Sequence, residues 1–370
     1  MAVTEDSAHA EAANNMEVMQ AKTNKAELLR KLELGVVPDH EIKQLIRHEL
    51  DRRLRWGYKS THQQQLAQLV DFAHSLRRMN IADEVDTLDS NIYEVPISFL
   101  RIMNGPMLKG SGCYFPHDST TLAEAEIAML DLYCERAQVR DGHTILDLGC
   151  GQGALTLHIA KKYTNCRVTA ITNSVSQKHF IQDQCIKSNL TNVEVLLADI
   201  TKHDTSHSFD RVFVIELLEH MKNYELLLKK ISKWMSQDGL LFIEHICHKT
   251  FAYHYDPLDE DDWFTDYVFP AGTMIIPSAS FLLYFQDDVS VVNHWTLSGK
   301  HFSRTNEEWL KRLDANVDTI KAIFEASLGS EEAAVKLINY WKGFCFSGME
   351  MFGSNNGEEW MTSHLLLTRK

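Results

Sequence analysis

The stretch VIELLEHMKN, residues 214–223, is apolar enough for a buried strand, yet it carries Glu216, Glu219 and His220. An imidazole with a reference pKa near 6.5 exchanges a proton around neutrality. A carboxylate beside it can fix the ring's tautomer, receive the proton itself, or favour positive charge growing on a nucleophile. That combination suits a secondary aliphatic amine, which is mostly protonated near pH 7 and gains a lone pair only when a base within about 3 Å removes the proton. We read Glu219 and His220 as one coupled unit, with Glu216 orienting the cation or the other two. The plainer account makes Glu219 a helix cap and His220 a hydrogen-bonded core histidine.

A second stretch, DLGCGQG at 147–153, lies where a strand turns into a helix. Gly149, Gly151 and Gly153 remove side chains that would keep a ligand from the backbone, and the helix N-terminus behind them offers unpaired N–H groups. The same triplet reads as a dinucleotide fingerprint. That reading calls for an acid at the end of the second strand, and here the strand ends in Thr172, Asn173 and Ser174.

The elements around these stretches have the right order to bring them together. HTILDLG, RVTAIT, NVEVLLADI, RVFVIEL and GLLFIEHIC read as strands; ALTLHIAKKY, SVSQKHFIQDQCIKSN and NYELLLKKISKWM read as helices between them. Strands and helices alternating at this spacing imply βαβ units and a parallel sheet covered on both faces. Ligands of such sheets bind beyond the carboxyl ends of the strands, so the glycine loop and EHMKN fall on one rim. Upstream, DHEIKQLIRHELDRRLRWGYK and THQQQLAQLVDFAHSLRRM carry apolar residues at helical spacing and read as cap helices. Arg52, Arg53 and Arg55 are expected on a solvated face. Downstream, 248–288 is a long aromatic and acidic insertion, read as a lid or binding wall, and residues 289–297 resume a strand. TNEEW predicts a helix capped by Thr305 with Glu308 at N3, running through Phe324. A helix across Glu331–Phe346 and a terminal edge strand, MTSHLLLTRK, follow.

The 370 residues, 44% hydrophobic, can bury one large core. A formal charge of −14 argues against nucleic acid or an anionic membrane as partner. The seven scattered cysteines contain no CxxC pair, which points to a reducing cytoplasm rather than a disulfide framework or structural zinc. No apolar run reaches membrane-spanning length. The acids of DEDDW (259–263) and QDD (286–288) are expected in solvated loops, and the histidines lack a ligand spacing, so no metal is expected. The composition is compatible with a homodimer.

DxGxGxG resembles motif I of the class I methyltransferases that use S-adenosylmethionine. The resemblance implies that the glycines lie beneath the amino-acid and ribose parts of the cofactor, and that Asp199 holds the adenine amino group while Ile200 covers the ring. ITNSVSQ is close to the pattern of the cyclopropane-fatty-acid-synthase-like branch, implicating Thr172, Asn173 and Gln177. SGCYF at 111–115 resembles that branch's SCAYF segment and implicates Ser111, with Gly110 where a tyrosine is customary.

Nearly the whole chain, from about 27 to 370, is similar to the plant benzylisoquinoline alkaloid N-methyltransferases, through LIRHELDRRLRWGYK, ELLEHMKNYELLLKKIS, EHICHKTFAYHY and NYWKGFCFSGMEMFG. This implies methyl transfer from S-adenosylmethionine, leaving S-adenosylhomocysteine, to the ring nitrogen of a coclaurine-like 1-benzyltetrahydroisoquinoline, with catalytic Glu219, His220 and Glu216 and no metal. The flat acceptor needs apolar walls, for which Tyr93, Phe269, Tyr340, Trp341 and Phe344 are the candidates. The last three otherwise read as core, and the resemblance to the family's pocket helix is what assigns them. Tyr255, Trp263 and Tyr267 could belong to the same cover. The implied fold is an α/β class I S-adenosylmethionine-dependent methyltransferase, a Rossmann-like, mostly parallel seven-stranded sheet with an N-terminal helical cap and helical or loop insertions. Its expected parts are a disordered leader (1–26), a cap and cofactor-covering segment (27–125) and a core (126–370). The core contains the insertion 248–288 and C-terminal helices within 306–350. Rival functions are methylation of a tertiary protoberberine or pavine nitrogen, phospholipid cyclopropanation, nucleic-acid methylation, and a non-catalytic ligand-binding or scaffolding role.

Overall fold

The computed structural model describes residues 25–83, 94–269 and 274–370; the leader proposed for 1–26 and Tyr93 fall almost wholly or wholly outside them. The sheet has seven strands in the order β3-β2-β1-β4-β5-β9-β8. They are β1 (Thr144–Leu148), β2 (Arg167–Thr172), β3 (Val193–Leu197), β4 (Phe209–Ile215), β5 (Met235–His248), β8 (Val289–Leu297) and β9 (Trp360–Arg369). The first five are parallel to one another, and β9 runs antiparallel to both its neighbours. A separate ribbon pairs β6 (Tyr253–His254) with β7 (Ile275–Ile276) inside the insertion. This is the mostly parallel class I methyltransferase sheet that the resemblance implied.

The helices are α1 (25–33), α2 (Asp39–Gly57), α3 (His62–Leu76), α4 (Ile97–Met103), α5 (Leu122–Arg136), α6 (Ala154–Lys162), α7 (Val175–Lys187), α8 (Tyr224–Trp234), α9 (Trp263–Val268), α10 (Lys300–Ala315), α11 (Val317–Leu328) and α12 (Glu331–Gly353). Buried Ile42, Ile46 and Leu50 place one stripe of α2 in a core shared with the insertion and with α10, α11 and α12. Helix α3 belongs elsewhere: Leu69, Ala73 and Leu76 pack with α8 against the sheet. The two cap helices thus serve different layers.

Five sequence expectations change. The terminal strand is central, because β9 pairs with β5 and β8 and Leu365, Leu366 and Leu367 are buried; three consecutive leucines suit a strand covered on both faces. The edge is β8, where Val292 is exposed. Thr305 is not a cap. It lies inside α10, which begins at Lys300 with Gly299 as its N-cap, and its hydroxyl donates to His301 O at 2.8 Å while accepting from Cys113 N at 3.0 Å. The helix then breaks at Asn316. A true capping box forms at Thr121 and Glu124 of α5.

Arg53 and Asp262 are both buried. Arg53 donates to Asp256 O at 2.7 Å and to Asp262, and its guanidinium lies 5.0 Å from the Tyr253 ring centre. Asp262 caps α9 by accepting from Thr265 N at 3.0 Å. These two residues therefore join α2 to the insertion, because a buried charge persists only when paired and hydrogen-bonded.

Candidate active site

Glu216 follows β4 with φ of 46°, a left-handed conformation that non-glycine residues seldom adopt, and its N–H donates to Glu244 O at 2.9 Å. The bend carries Leu217 over Gly149, where a Cβ would stand 3.1 Å from the leucine, and begins the 3-10 turn Leu218–His220. Glu216, Glu219 and His220 all line one cavity of about 320 Å³ at the carboxyl edge of the sheet. Glu216 Oε1 accepts from Gly112 N at 3.1 Å, and Glu219 Oε1 from Ile246 N at 2.6 Å. Glu219 Oε2 is buried with no hydrogen-bond partner. Leaving such an atom unpaired costs about 1–3 kcal/mol, which a ligand that bonds it would recover.

Behind this turn lies a network absent from the sequence reading. Glu244 of β5, fully buried, accepts from Tyr133 OH and, at 2.5 Å, from His364 Nε2. Arg136 can only donate, so His364 Nδ1 accepts its N–H at 2.7 Å and the His364 proton sits on Nε2. Buried Lys109 donates to Ser111 Oγ and, at 2.6 Å, to Gly112 O. Burial alone would raise Glu244, but His364, Lys109 and Tyr133 hold it below the ordinary carboxylate value. Burial and then the charge of Glu244 push Glu216 up to about 8. Burial and then Glu216 drive Glu219 well upward, while burial and then Lys222 bring His220 down to about 4. Burial therefore favours the uncharged form of all three, shifting Glu216 and Glu219 toward the protonated carboxyl and His220 toward the neutral imidazole. A cation brought beside them would favour the carboxylates. An acid inside the apolar run LLFIEHIC is the same signal that marked Glu216 and could have exposed Glu244; no sequence signal marks Lys109.

The glycine loop meets the same cavity. Gly149, Gly151, Ser111 and Gln177 line it, and a Cβ on Gly151 would touch nothing within 4 Å, so the backbone there is open to a ligand. Gln152 Oε1, also in the wall, is buried without a partner. An open glycine backbone beside an unsatisfied amide fits the amino-acid and ribose parts of S-adenosylmethionine. Gly153 is off the wall; a Cβ there would come 2.7 Å from Ile181, so its role is to let α6 start against α7. Thr172 lies behind Gln177, donating to its Oε1 at 2.6 Å, and Asn173 is exposed. Asp199 is exposed after β3 and accepts from Thr201 N and Oγ1 at 2.8 and 2.7 Å, while Ile200 is buried in the sheet core.

Of the aromatic candidates, Phe269, Trp341 and Phe344 line the cavity. Tyr340 does not; it is buried on the neighbouring face of α12, with its hydroxyl donating to Val268 O at 2.9 Å. Trp341 and Phe344 are three apart and share the face of α12 that meets the cavity. Tyr255 of the insertion joins the wall, whereas Trp263 and Tyr267 do not. Phe302, Asn306 and Trp309 of α10 complete it; Phe302 lies ahead of the helix start predicted at Thr305, and no sequence signal marked the other two. Among the described residues no cluster of His, Cys, Asp or Glu could hold a metal ion.

A glycine cradle and an acid–histidine turn on one rim of this sheet define a class I methyltransferase. The chain matches the mycolic acid cyclopropane synthetase family over residues 83–337. It is 71% identical to (S)-coclaurine N-methyltransferase of Thalictrum flavum subsp. glaucum, covering 97% of this chain and all of that protein. It is 59% identical to pavine N-methyltransferase of the same plant, covering 96% of this chain and all of that protein. A crystal structure of coclaurine N-methyltransferase with N-methylheliamine and S-adenosylhomocysteine superposes with a TM-score of 0.92 at 73% identity, covering 93% of this chain and 99% of that one. The chain belongs to the plant benzylisoquinoline alkaloid N-methyltransferases, a branch of the mycolic acid cyclopropane synthetase family.

Proposed function

We propose that this protein methylates the secondary ring nitrogen of coclaurine-like 1-benzyltetrahydroisoquinolines, using S-adenosylmethionine and no metal. The observation that carries the reading is the opening of the glycine loop and the Glu216–His220 turn onto one cavity walled by aromatic side chains. When bound, S-adenosylmethionine supplies an electrophilic methyl group for in-line displacement. Gly149 and Gly151 would hold its amino-acid and ribose parts, with Ser111 and Gln177 beside them. Asp199 and Ile200 would receive the adenine at the outer edge, near Thr172 and Asn173, and Gly153 would act by placing the helix start.

For the acceptor, Phe269, Trp341 and Phe344 form the apolar walls, Tyr340 supports them from the neighbouring face of α12, and Tyr93, outside the described residues, is assigned to the acceptor by the family resemblance alone. As the ammonium enters, the carboxyls of Glu216 and Glu219 release their protons to solvent and hold it as carboxylates. His220, uncharged at pH 7, then takes the proton as a unit with Glu219, freeing the nitrogen lone pair. Residues 27–125 act as cap and cofactor cover over the 126–370 core. The seven cysteines are all free thiols, which supports a cytoplasmic location, and among the described residues no helix is long and apolar enough to cross a membrane.

An assay with labelled S-adenosylmethionine against paired secondary and tertiary isoquinolines, with mass analysis of the products, tests the reading. Label on the nitrogen of the secondary amine is expected. Label only on phenolic oxygen, or on no acceptor, would overturn it, and label only on tertiary nitrogen would move the assignment to quaternary-ammonium formation.

A further inference from the structure

On the side of the cavity wall away from both the reacting turn and the glycine loop, three polar atoms are buried without a hydrogen-bond partner: Asn306 Oδ1, Trp309 Nε1 and Trp341 Nε1. All three residues are on α10 and α12, which run antiparallel. Ser303 Oγ donates to Met349 O at 2.9 Å toward one end of the pair, and Lys342 Nζ lies 2.7 Å from Asp314 toward the other. Asn306 and Trp309 are one turn apart and share the face of α10. Trp341 stands two turns before Gly348 on α12.

The asparagine amide is fixed. Its Nδ2 donates to Phe302 O at 2.9 Å, and because that carbonyl can only accept, the atom left unpaired is the oxygen. Gly348 makes the space for it, since a Cβ there would come 2.4 Å from the amide. Fixed, unsatisfied acceptors and donors in an otherwise apolar wall are the usual source of ligand orientation in small-molecule sites.

We infer that Asn306 and Trp309, with Trp341 along the same seam, form a subsite for a ring hydroxyl of the acceptor. The inference rests on the alkaloid N-methyltransferase reading above and deepens it. A hydroxyl is the group that satisfies both kinds of atom at once: its O–H donates to Asn306 Oδ1 and its oxygen accepts from an indole N–H. An ether oxygen cannot donate to Oδ1. An ammonium cannot accept from the indoles, and a carboxylate would face the amide oxygen with a second acceptor. Asn306 and Trp309 are therefore specificity-determining residues, distinct from the turn that handles the proton.

The test is kcat/KM for a panel of secondary amines carrying one ring hydroxyl at a time, each paired with the analogue that has hydrogen in its place. The pairs are run on the wild type, Asn306→Leu and Trp309→Phe. The wild type is expected to prefer at least one hydroxylated member by about tenfold, the scale of a buried neutral hydrogen bond left unmade. Asn306→Leu is expected to bring that preference close to unity by lowering kcat/KM for the hydroxylated member far more than for its hydrogen analogue. Trp309→Phe is expected to reduce the preference in the same direction, and it keeps the proposal testable if the leucine variant does not fold. Equal losses on both members of a pair would assign these residues to packing alone and overturn the subsite. So would a preference that survives both substitutions, or a wild type that methylates both members equally well. A wild type that places no methyl on nitrogen in any amine would instead overturn the parent reading, and the subsite with it.

Discussion

The cavity end beside β4 and β5 and the outer edge beside β3 use carboxyl groups in opposite ways. At the first, Glu216, Glu219 and Glu244 are withdrawn from water, and two of them are pushed toward the protonated form. At the second, Asp199 faces solvent and is satisfied by Thr201 N and Oγ1, and these bonds keep it below the ordinary aspartate value despite its partial burial. A carboxyl that shifts with its surroundings can answer the arrival of a cation, whereas one that stays ionised can only recognise a fixed donor. The contrast teaches that burial, more than residue type, separates groups able to take part in proton transfer from groups that position a ligand.

The largest effect expected from breaking this contrast is at Glu219. Glu219→Gln should lower kcat for a secondary amine by about 10²–10⁴-fold, the range of a lost acid–base group, with S-adenosylmethionine binding by calorimetry unchanged; a loss confined to cofactor binding would contradict it. Next, Glu244→Ala strips the acceptor from Tyr133 and His364, removes the negative charge that Lys109 feels, and should destabilise the fold by about 3–5 kcal/mol in denaturant melts. A near-neutral result would mean the network is solvated. Third, Glu216 carries its proton up to about 8 in the folded protein against an ordinary value of 4.5. Between those limits the folded state binds more protons than the unfolded one, so the stability this group contributes is present below about 4.5 and lost as pH rises through about 8. Melting temperatures of wild type and Glu216→Gln should therefore shift in the variant's favour between pH 5 and pH 9, and parallel curves would remove the buried-acid account. The smallest effect is at the other end: Asp199→Asn should raise KM for S-adenosylmethionine about fivefold, close to one hydrogen bond, and leave kcat intact.

Local pattern was readable wherever one element decided its own state. Alternating strands and helices placed β1 to β5, and the glycine loop and EH pair fell on the rim that such sheets reserve for ligands. What failed depended on contacts distant in sequence. MTSHLLLTRK ends the chain, yet β8 supplies the edge and encloses it. Thr305 carries a capping signature because its hydroxyl is needed 192 positions away at Cys113 N, inside a helix that had already begun. Arg53 looked like a surface charge because the buried acid that pairs with it belongs to the insertion. Of the α10 wall, Phe302 was lost ahead of the misplaced cap while Asn306 and Trp309 carried no signal of their own, and Lys109 reaches the site from a segment with no periodic signal.

The central claim is that the uncharged imidazole of His220 frees the amine lone pair within this cavity. It is tested most directly by the pH–rate profile of His220→Ala against wild type on a secondary amine and on a tertiary one. With the secondary amine, the loss should be about 10²-fold or more near pH 7 and should shrink steadily as pH approaches the amine's own pKa, where solvent supplies the neutral nucleophile. A loss of the same size at every pH on both amines would contradict the account.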